Sequence, residues 1–421
     1  MAHVPSVERW LAAGGTRRQS DRELLARFTG EYPGQELLEL GLTYAAWGRA
    51  EEARSLMALT GGTPVEPLSR AWLAHATQNS ELLGGGASVE YVFPFRREML
   101  PVLAWASDAS DNWSWTYLYE LALSARDRPD EAAPVLRGLG DRPNYAPAFT
   151  TRALLAGAHD SDRERDLRQA IELDPAERLL RIPLVQHLQT QGSWREALDE
   201  SAAALDRSPD DFDLALLHAK SLNQLGLHDQ SLEIMGDIRV LPSEHSREAQ
   251  QLFSHAHIMS GMVALEGEDP ATAVRHFEAA MTWPERLGQG RPYEPEECLP
   301  RFMLGLAQAG AGDLQAASRT WTAVADATPL EVYRGGDAVR LDLLGALSVE
   351  ALGRGAELDE FGNGQEGAMA RLVQRVRTAA QNGSSVVSAV AEAAIAMDDL
   401  FGDMEGRLLR RSFAAAAAND R

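Results

Sequence analysis

A beat of 34 residues runs through the middle of this 421-residue chain and constrains its fold more than any other feature. The stretch from Leu179 to Pro209 carries Leu188, Gly192, Trp194, Ala197, Ala204 and Pro209. Shifted forward by 34 residues, the beat returns as Leu222, Gly226, His228, Ser231 and Ile238, with Pro242 one place early. Shifted back, it gives Leu154, Ala170 and Pro175. Small residues and helix breakers recurring at fixed offsets describe one helical hairpin stacked many times, because a single hairpin cannot bury its own apolar faces.

Each unit resembles the tetratricopeptide repeat: helix A, a tight turn, helix B, and a proline at the exit. The eighth place of helix A is small at Gly41, Ala219, Gly261 and Gly305, which lets the paired helix approach. Gly48, Gly192, Gly226 and Gly312 fall between the helices, where a left-handed residue closes helix A. Ala53, Ala132, Ala197, Ala273 and Ala317 take the crowded place in helix B. Pro175, Pro209 and Pro329 separate one unit from the next. Seven units are expected, at 34–67, 113–146, 144–177, 178–211, 212–244, 254–286 and 298–331. The fold class expected is all-α, a right-handed superhelical solenoid of tetratricopeptide-like helix-turn-helix repeats.

The chain divides by this reading into four parts. Residues 1–84 hold N-terminal helices with one repeat, and 85–112 an aromatic, Pro/Gly-rich connection with a helix from Arg96 to Trp105. The main array spans 113–331, and 332–421 carries closing helices at Val339–Leu352, Ala368–Ala380 and Val386–Leu409, then an Ala-rich tail. Such helices would cover the last apolar face of the array.

Composition narrows the partners. A formal charge of −22 repels phosphate backbones and anionic membrane surfaces, so no nucleic acid and no membrane is expected. Lys220 is the only lysine beside 39 arginines, a skew of the kind a GC-rich bacterial genome produces. The single cysteine, Cys298, excludes an internal disulfide and a cysteine-based metal knuckle. Met1–Trp10 shows no basic stretch followed by an apolar core, and no uncharged apolar run reaches the length of a spanning helix. The expectation is a cytoplasmic protein.

Four stretches carry a closer resemblance: Val92-Phe93-Pro94-Phe95-Arg96, Trp113 to Tyr119, Pro143-Asn144-Tyr145-Ala146-Pro147, and Trp283 to Tyr293. They are similar to the C-terminal repeat half of large bacterial proteins whose N-terminal half is a domain of unknown function, itself similar to aldose-epimerase-like supersandwiches. The resemblance covers roughly 36–328 and implies a repeat module that partners or buttresses a sugar-acting domain. This chain has no strand-rich N-terminal half, so no catalytic residue carries over.

The residues themselves offer a binding surface rather than chemistry. No Gly-x-Ser-x-Gly, Walker or His-Glu-x-x-His pattern occurs. Places two, five, nine and twelve of helix A face the concave side in such arrays and here include Tyr117, Tyr145, Arg152, Gln186, Gln189, Asp213, Lys220, Asn223 and His255. The basic-plus-asparagine spacing of the known carboxylate clamp is not reproduced, so an ordinary polar groove wall is the plainer reading. The Trp283–Glu297 loop, with Arg291 and Tyr293, reads either as a finger docking on a partner or as packing that fills a seam between repeats. Tyr91, Phe93, Phe95, Trp113, Trp115, Tyr117 and Tyr119 could stack on sugars, though most such aromatics pack in cores.

The bland readings also cover the titratable groups. His255 and His257 fall on different helix faces, and His228 and His276 read as lone histidines near turns. Glu294, Glu296 and Glu297 suit the dipole of a helix starting at Cys298, itself read as a small buried residue. The function expected is a non-catalytic protein-interaction scaffold, without cofactor or metal, that binds a protein domain or peptide. Its partner-binding candidates are Tyr117, Tyr145, Arg152, Gln186, Lys220, Asn223, His255, Trp283, Arg291 and Tyr293. The alternatives are the accessory half of a split carbohydrate-active enzyme, docking a separate supersandwich domain, and direct oligosaccharide binding.

Overall fold

Every element of regular structure among the described residues is helical. The computed structural model describes residues 4–13, 18–28, 32–155, 160–242, 247–293, 295, 297–327, 338–354 and 378. It falls into two compact units, Met1–Leu184 and Val185–Arg421, with the division inside α11 (Arg181–Thr190). That division lies within the stretch read as a single array.

The first unit opens with α1 (Val4–Ala12) and α2 (Arg18–Leu25), then the hairpins α3 (Pro33–Ala46) with α4 (Ala50–Met57) and α5 (Glu66–Thr77) with α6 (Met99–Ala109). It continues through α7 (Trp113–Ser124) with α8 (Pro129–Gly138), and α9 (Ala146–Leu154) with α10 (Asp160–Leu173). The second unit holds α12 (Trp194–Leu205), then α13 (Phe212–Gln224) with α14 (His228–Asp237) and α15 (Glu248–Glu266) with α16 (Pro270–Ala280). It ends with α17 (Cys298–Gly310) on α18 (Leu314–Ala327), and α19 (Ala338–Ala351) packed on α18. The chain is therefore all-α and built from tetratricopeptide-like hairpins, as the period implied.

Local sequence explains where these helices begin and end. Asp211 accepts from the backbone N–H of Asp213 and Leu214, Asn112 from that of Ser114, and Asp269 from that of Thr272, each satisfying helix donors that have no partner inside the helix. Gly48, Gly192, Gly226 and Gly312 have φ of 77°, 73°, 78° and 85°, so each expected turn glycine occupies the left-handed region.

Packing within a hairpin follows a rule of complementary volume. A Cβ on Gly41 would lie 2.8 Å from Met57, one on Gly261 2.7 Å from Phe277, and one on Gly305 2.2 Å from the Trp321 indole. Each large side chain stands 16 residues after its small partner. Other hairpins divide the volume differently at the same two places: Ala219 with Met235, and Val185 with Ser201, all four fully buried. Interiors packed to crystal density tolerate such trades only when the sum is kept.

Glu120 breaks the rule, because it holds the small-residue place of α7 and is 0% exposed. Its Oε1 accepts from Ser124 Oγ at 2.7 Å, while Oε2 has no hydrogen-bond partner. Burial raises its pKa, against the opposing pull of the Ser124 hydrogen bond. The folded state thus keeps a proton that the unfolded chain has lost, so this group's contribution is full at low pH and disappears as pH rises through the folded value. We expect Glu120→Gln to raise the melting temperature at pH 7.5 and to change it little at pH 4, which thermal scans at the two pH values would check.

The hairpin α5–α6 was not expected. Its two helices are joined by 78–98 instead of a tight turn, and the helix expected at Arg96–Trp105 begins at Met99. The closing helix expected at Val339–Leu352 corresponds to α19, whose Leu344 and Leu347 join the core formed by Met262, Phe277, Phe302 and Trp321. The helix expected at 386–409, the exit proline Pro329, the tail and, apart from Thr378, the helix expected at 368–380 lie outside the described residues.

Candidate functional site

The segment between α5 and α6 is short of secondary structure yet tightly held. Arg70 of α5 donates to the carbonyls of Gly84 at 3.2 Å and Gly86 at 2.7 Å, and its guanidinium lies over the Trp115 ring. Trp115 Nε1 donates to Leu83 O at 3.1 Å, and Ser114 Oγ accepts from Ala87 N at 2.8 Å. Gly86, at φ 77°, sits so close to Asn112 that a Cβ would come within 2.3 Å of its amide. Farther on, Arg126 donates to Phe95 O.

Along the held segment, side chains alternate in and out. Val89, Val92 and Pro94 are buried, whereas Tyr91 is 76% exposed, Phe93 68% and Phe95 45%. Tyr91 also adopts φ +58°, a left-handed conformation rare for a bulky residue. The α7 aromatics behind the segment split as alternation by two on a helix requires: Trp115 and Tyr117 are buried, Trp113 and Tyr119 half-buried. Tyr117 and Tyr145 meet edge to face, with ring centroids 5.8 Å apart. Burial raises the pKa of both phenols, with Glu90 and Tyr91 adding to the rise at Tyr145. Arg96 and the exposed Arg97, both within reach of the Glu98 carboxylate, follow the aromatics on the α6 side.

The other expected partner-binding residues scatter. Arg152 is interior, 7% exposed: it makes a two-pronged ion pair with Asp166 and donates to Gly140 O at 2.6 Å. It is therefore no part of a groove wall. Asn223 is also buried and donates to Leu252 O at 3.1 Å, as Gln189, one period earlier, donates to Leu217 O at 2.7 Å. These amides stitch successive A helices together and offer a ligand nothing. His255 is 8% exposed, edge-on to His228. Lys220 is half-exposed and paired with Glu248 at 3.0 Å, while Gln186 is exposed.

The Trp283–Glu297 loop folds back on its own unit. Val240 N donates to Arg286 O at 2.8 Å, Arg286 Nε donates to Met235 O at 3.1 Å, and Leu287 is fully buried among Val240, Phe253 and Leu252. Glu297 sits at the N-terminus of α17 but does not cap it with its side chain. Its buried carboxylate accepts from Trp283 Nε1, from Arg291 and from Arg301, so it also staples the loop to the start of α17. Trp283 and Arg291 are consumed in this way. Tyr293 projects, 98% exposed, and does not fill a seam; Glu294 and Glu296 lie outside the described residues.

His276 and His228 are not the lone residues the sequence suggested. His276 Nδ1 lies 3.1 Å from His257 Nδ1, and His228 Nδ1 lies 3.4 Å from Asn223 Oδ1. Burial, His276 and Arg286 depress the His257 pKa to about 4, and burial lowers that of His276 against the field of Asp229. Among the described residues no group of three or more His, Cys, Asp or Glu could hold a metal ion, and no helix is long and apolar enough to cross a membrane.

No protein-family model and no curated protein matches the chain. Among solved structures it is similar to a tetratricopeptide repeat protein from Parabacteroides merdae ATCC 43184, with 14% identity, 64% of this chain, 98% of that chain and a TM-score of 0.41. It is also similar to Naa15/Naa10 bound to HypK-THB, with 12% identity, 85% of this chain, 52% of that one and a TM-score of 0.42. For the yeast Tom70 the values are 12% identity, 100% and 95% coverage and a TM-score of 0.32. The fold described above stands on its own hairpin geometry.

Proposed function

We propose that this chain is a non-catalytic protein-interaction scaffold that engages a protein partner through Tyr91, Phe93 and Phe95. The observation that carries the reading is the presentation of three exposed aromatics by a segment whose backbone is bonded to α5, α7 and the turn after α7. Contiguous exposed apolar surface on a folded chain marks interaction sites. Aromatics give large contact area for few rotatable bonds, and a segment already fixed loses little entropy on binding. The arginines beside them suit the polar rim of such a contact.

Quantitative capture from a lysate of the source organism tests the reading. Tagged wild-type chain is compared with Tyr91→Ser/Phe93→Ser/Phe95→Ser and with Tyr293→Ser, an exposed aromatic in the other unit. The triple variant is expected to lose its captured proteins by about tenfold or more, as removal of central aromatic anchors does elsewhere. Tyr293→Ser is expected to keep them. Equal capture by wild type and triple variant, at equal folded fraction by circular dichroism, would remove the segment from the binding surface. Capture of a carbohydrate-processing domain would identify the partner with the accessory-half alternative.

A further inference from the structure

We propose that His257 and His276 form a two-imidazole chelating site for a borderline divalent transition metal, with Zn²⁺ as the representative ion. The two rings come from the paired helices α15 and α16, and their Nδ1 atoms face each other at 3.1 Å with ring centroids 5.3 Å apart. Two bonds of about 2.0–2.1 Å to one ion span that distance at an angle of roughly 100°, between square and tetrahedral values. An imidazole pair selects Zn²⁺, Ni²⁺ or Cu²⁺ over Mg²⁺ and Ca²⁺, which take oxygen ligands.

Both rings are half-buried, and the His257 ring also meets Phe253 edge to face, with ring centroids 4.6 Å apart. Without metal the pair shares one hydrogen bond, so one Nδ1 carries a proton. Metal binding needs only that this proton move to Nε2 of the same ring, with no net proton lost. The charged groups acting on the pair are mixed: Asp229 favours a cation at His276, while Arg275 and Arg286 oppose it. Arg286 is engaged by its bond to Met235 O and lies over the Phe253 ring, which itself packs on His257. With two protein ligands, water completes the shell.

The test is calorimetric titration and thermal scanning of the full chain with ZnCl₂ and, separately, MgCl₂ at pH 7.5. Zn²⁺ is expected to bind at one site and raise the melting temperature; Mg²⁺ is expected to do neither. His257→Gln and His276→Gln, made singly, are each expected to weaken Zn²⁺ binding about tenfold or more and to abolish the thermal shift. Neither side chain is fully buried, so both variants should fold, with the helical signal as the check. No Zn²⁺ binding by the wild type, or binding undiminished in both variants, would overturn the assignment and leave an imidazole–imidazole hydrogen bond.

Discussion

Replacing Asp166 with alanine is expected to cost about 3–5 kcal/mol of stability, because it strands the charge of Arg152 in the interior. The carboxylate is buried and accepts from Arg152 Nε at 2.6 Å and Nη2 at 2.8 Å. The same guanidinium donates to Gly140 O and lies over the Phe149 ring, so little of it reaches water in the folded chain. Removing both charges together has a different consequence. Arg152→Met/Asp166→Leu is expected to unfold within about 1–2 kcal/mol of wild type, since a buried ion pair rarely outweighs the desolvation of its members. Urea unfolding of the full chain, followed by far-ultraviolet circular dichroism, distinguishes the two. If the single variant unfolds at the wild-type midpoint, the pair is not a structural lock.

Gly305→Val is the second large effect expected. The first added carbon would already lie 2.2 Å from Trp321 Nε1 and 2.6 Å from its Cδ1, both parts of a rigid ring. That ring is buried and donates to Phe302 O, so it cannot swing aside without losing the bond. Overpacking of this kind costs about 1–3 kcal/mol and more where nothing yields. Trp321→Leu alone should also destabilise, by opening a cavity. The double variant Gly305→Val/Trp321→Leu is expected to be more stable than the sum of the singles by at least about 1 kcal/mol, the coupling expected of side chains that share one volume. Strict additivity in the thermal or urea data would show that the two places do not compete for space.

How far the fold was legible follows from these positions. Gly41, Gly261 and Gly305 stand out in the sequence because close helix approach leaves room for no other residue, and the turn glycines because φ near +75° excludes most others. The hairpin α5–α6 was hidden because its tight turn is replaced by 78–98, which breaks the period without breaking the packing. A repeat pattern also assigns a side chain to a face, not to a partner. Arg152 falls at a nominal groove place, but Asp166, fourteen residues on, draws it inward. Asn223 and Gln189 fall there too and are spent on the carbonyls of the next A helix.

The histidine pair and Glu297 were illegible for a related reason. His257 and His276 are nineteen residues apart, and only the crossing of α15 and α16 brings their Nδ1 atoms together. Glu297 has the right place for a dipole partner, but the sequence does not show that Trp283 and Arg291 of the folded-back loop and Arg301 of α17 converge on it. In the aromatic segment the alternation Val92, Phe93, Pro94, Phe95 was readable, but not which face would be covered. Arg70, Ser114 and Arg126 settle that by holding the backbone from one side.

The central claim is that the partner docks on the segment between α5 and α6. Hydrogen–deuterium exchange of the full chain, alone and with a partner purified from the capture experiment, tests it most directly. The account predicts new protection in 88–98 and at the start of α9 beside Tyr145, with α13–α16 unchanged. Protection confined to 185–354, with 88–98 exchanging as in the free chain, would contradict it.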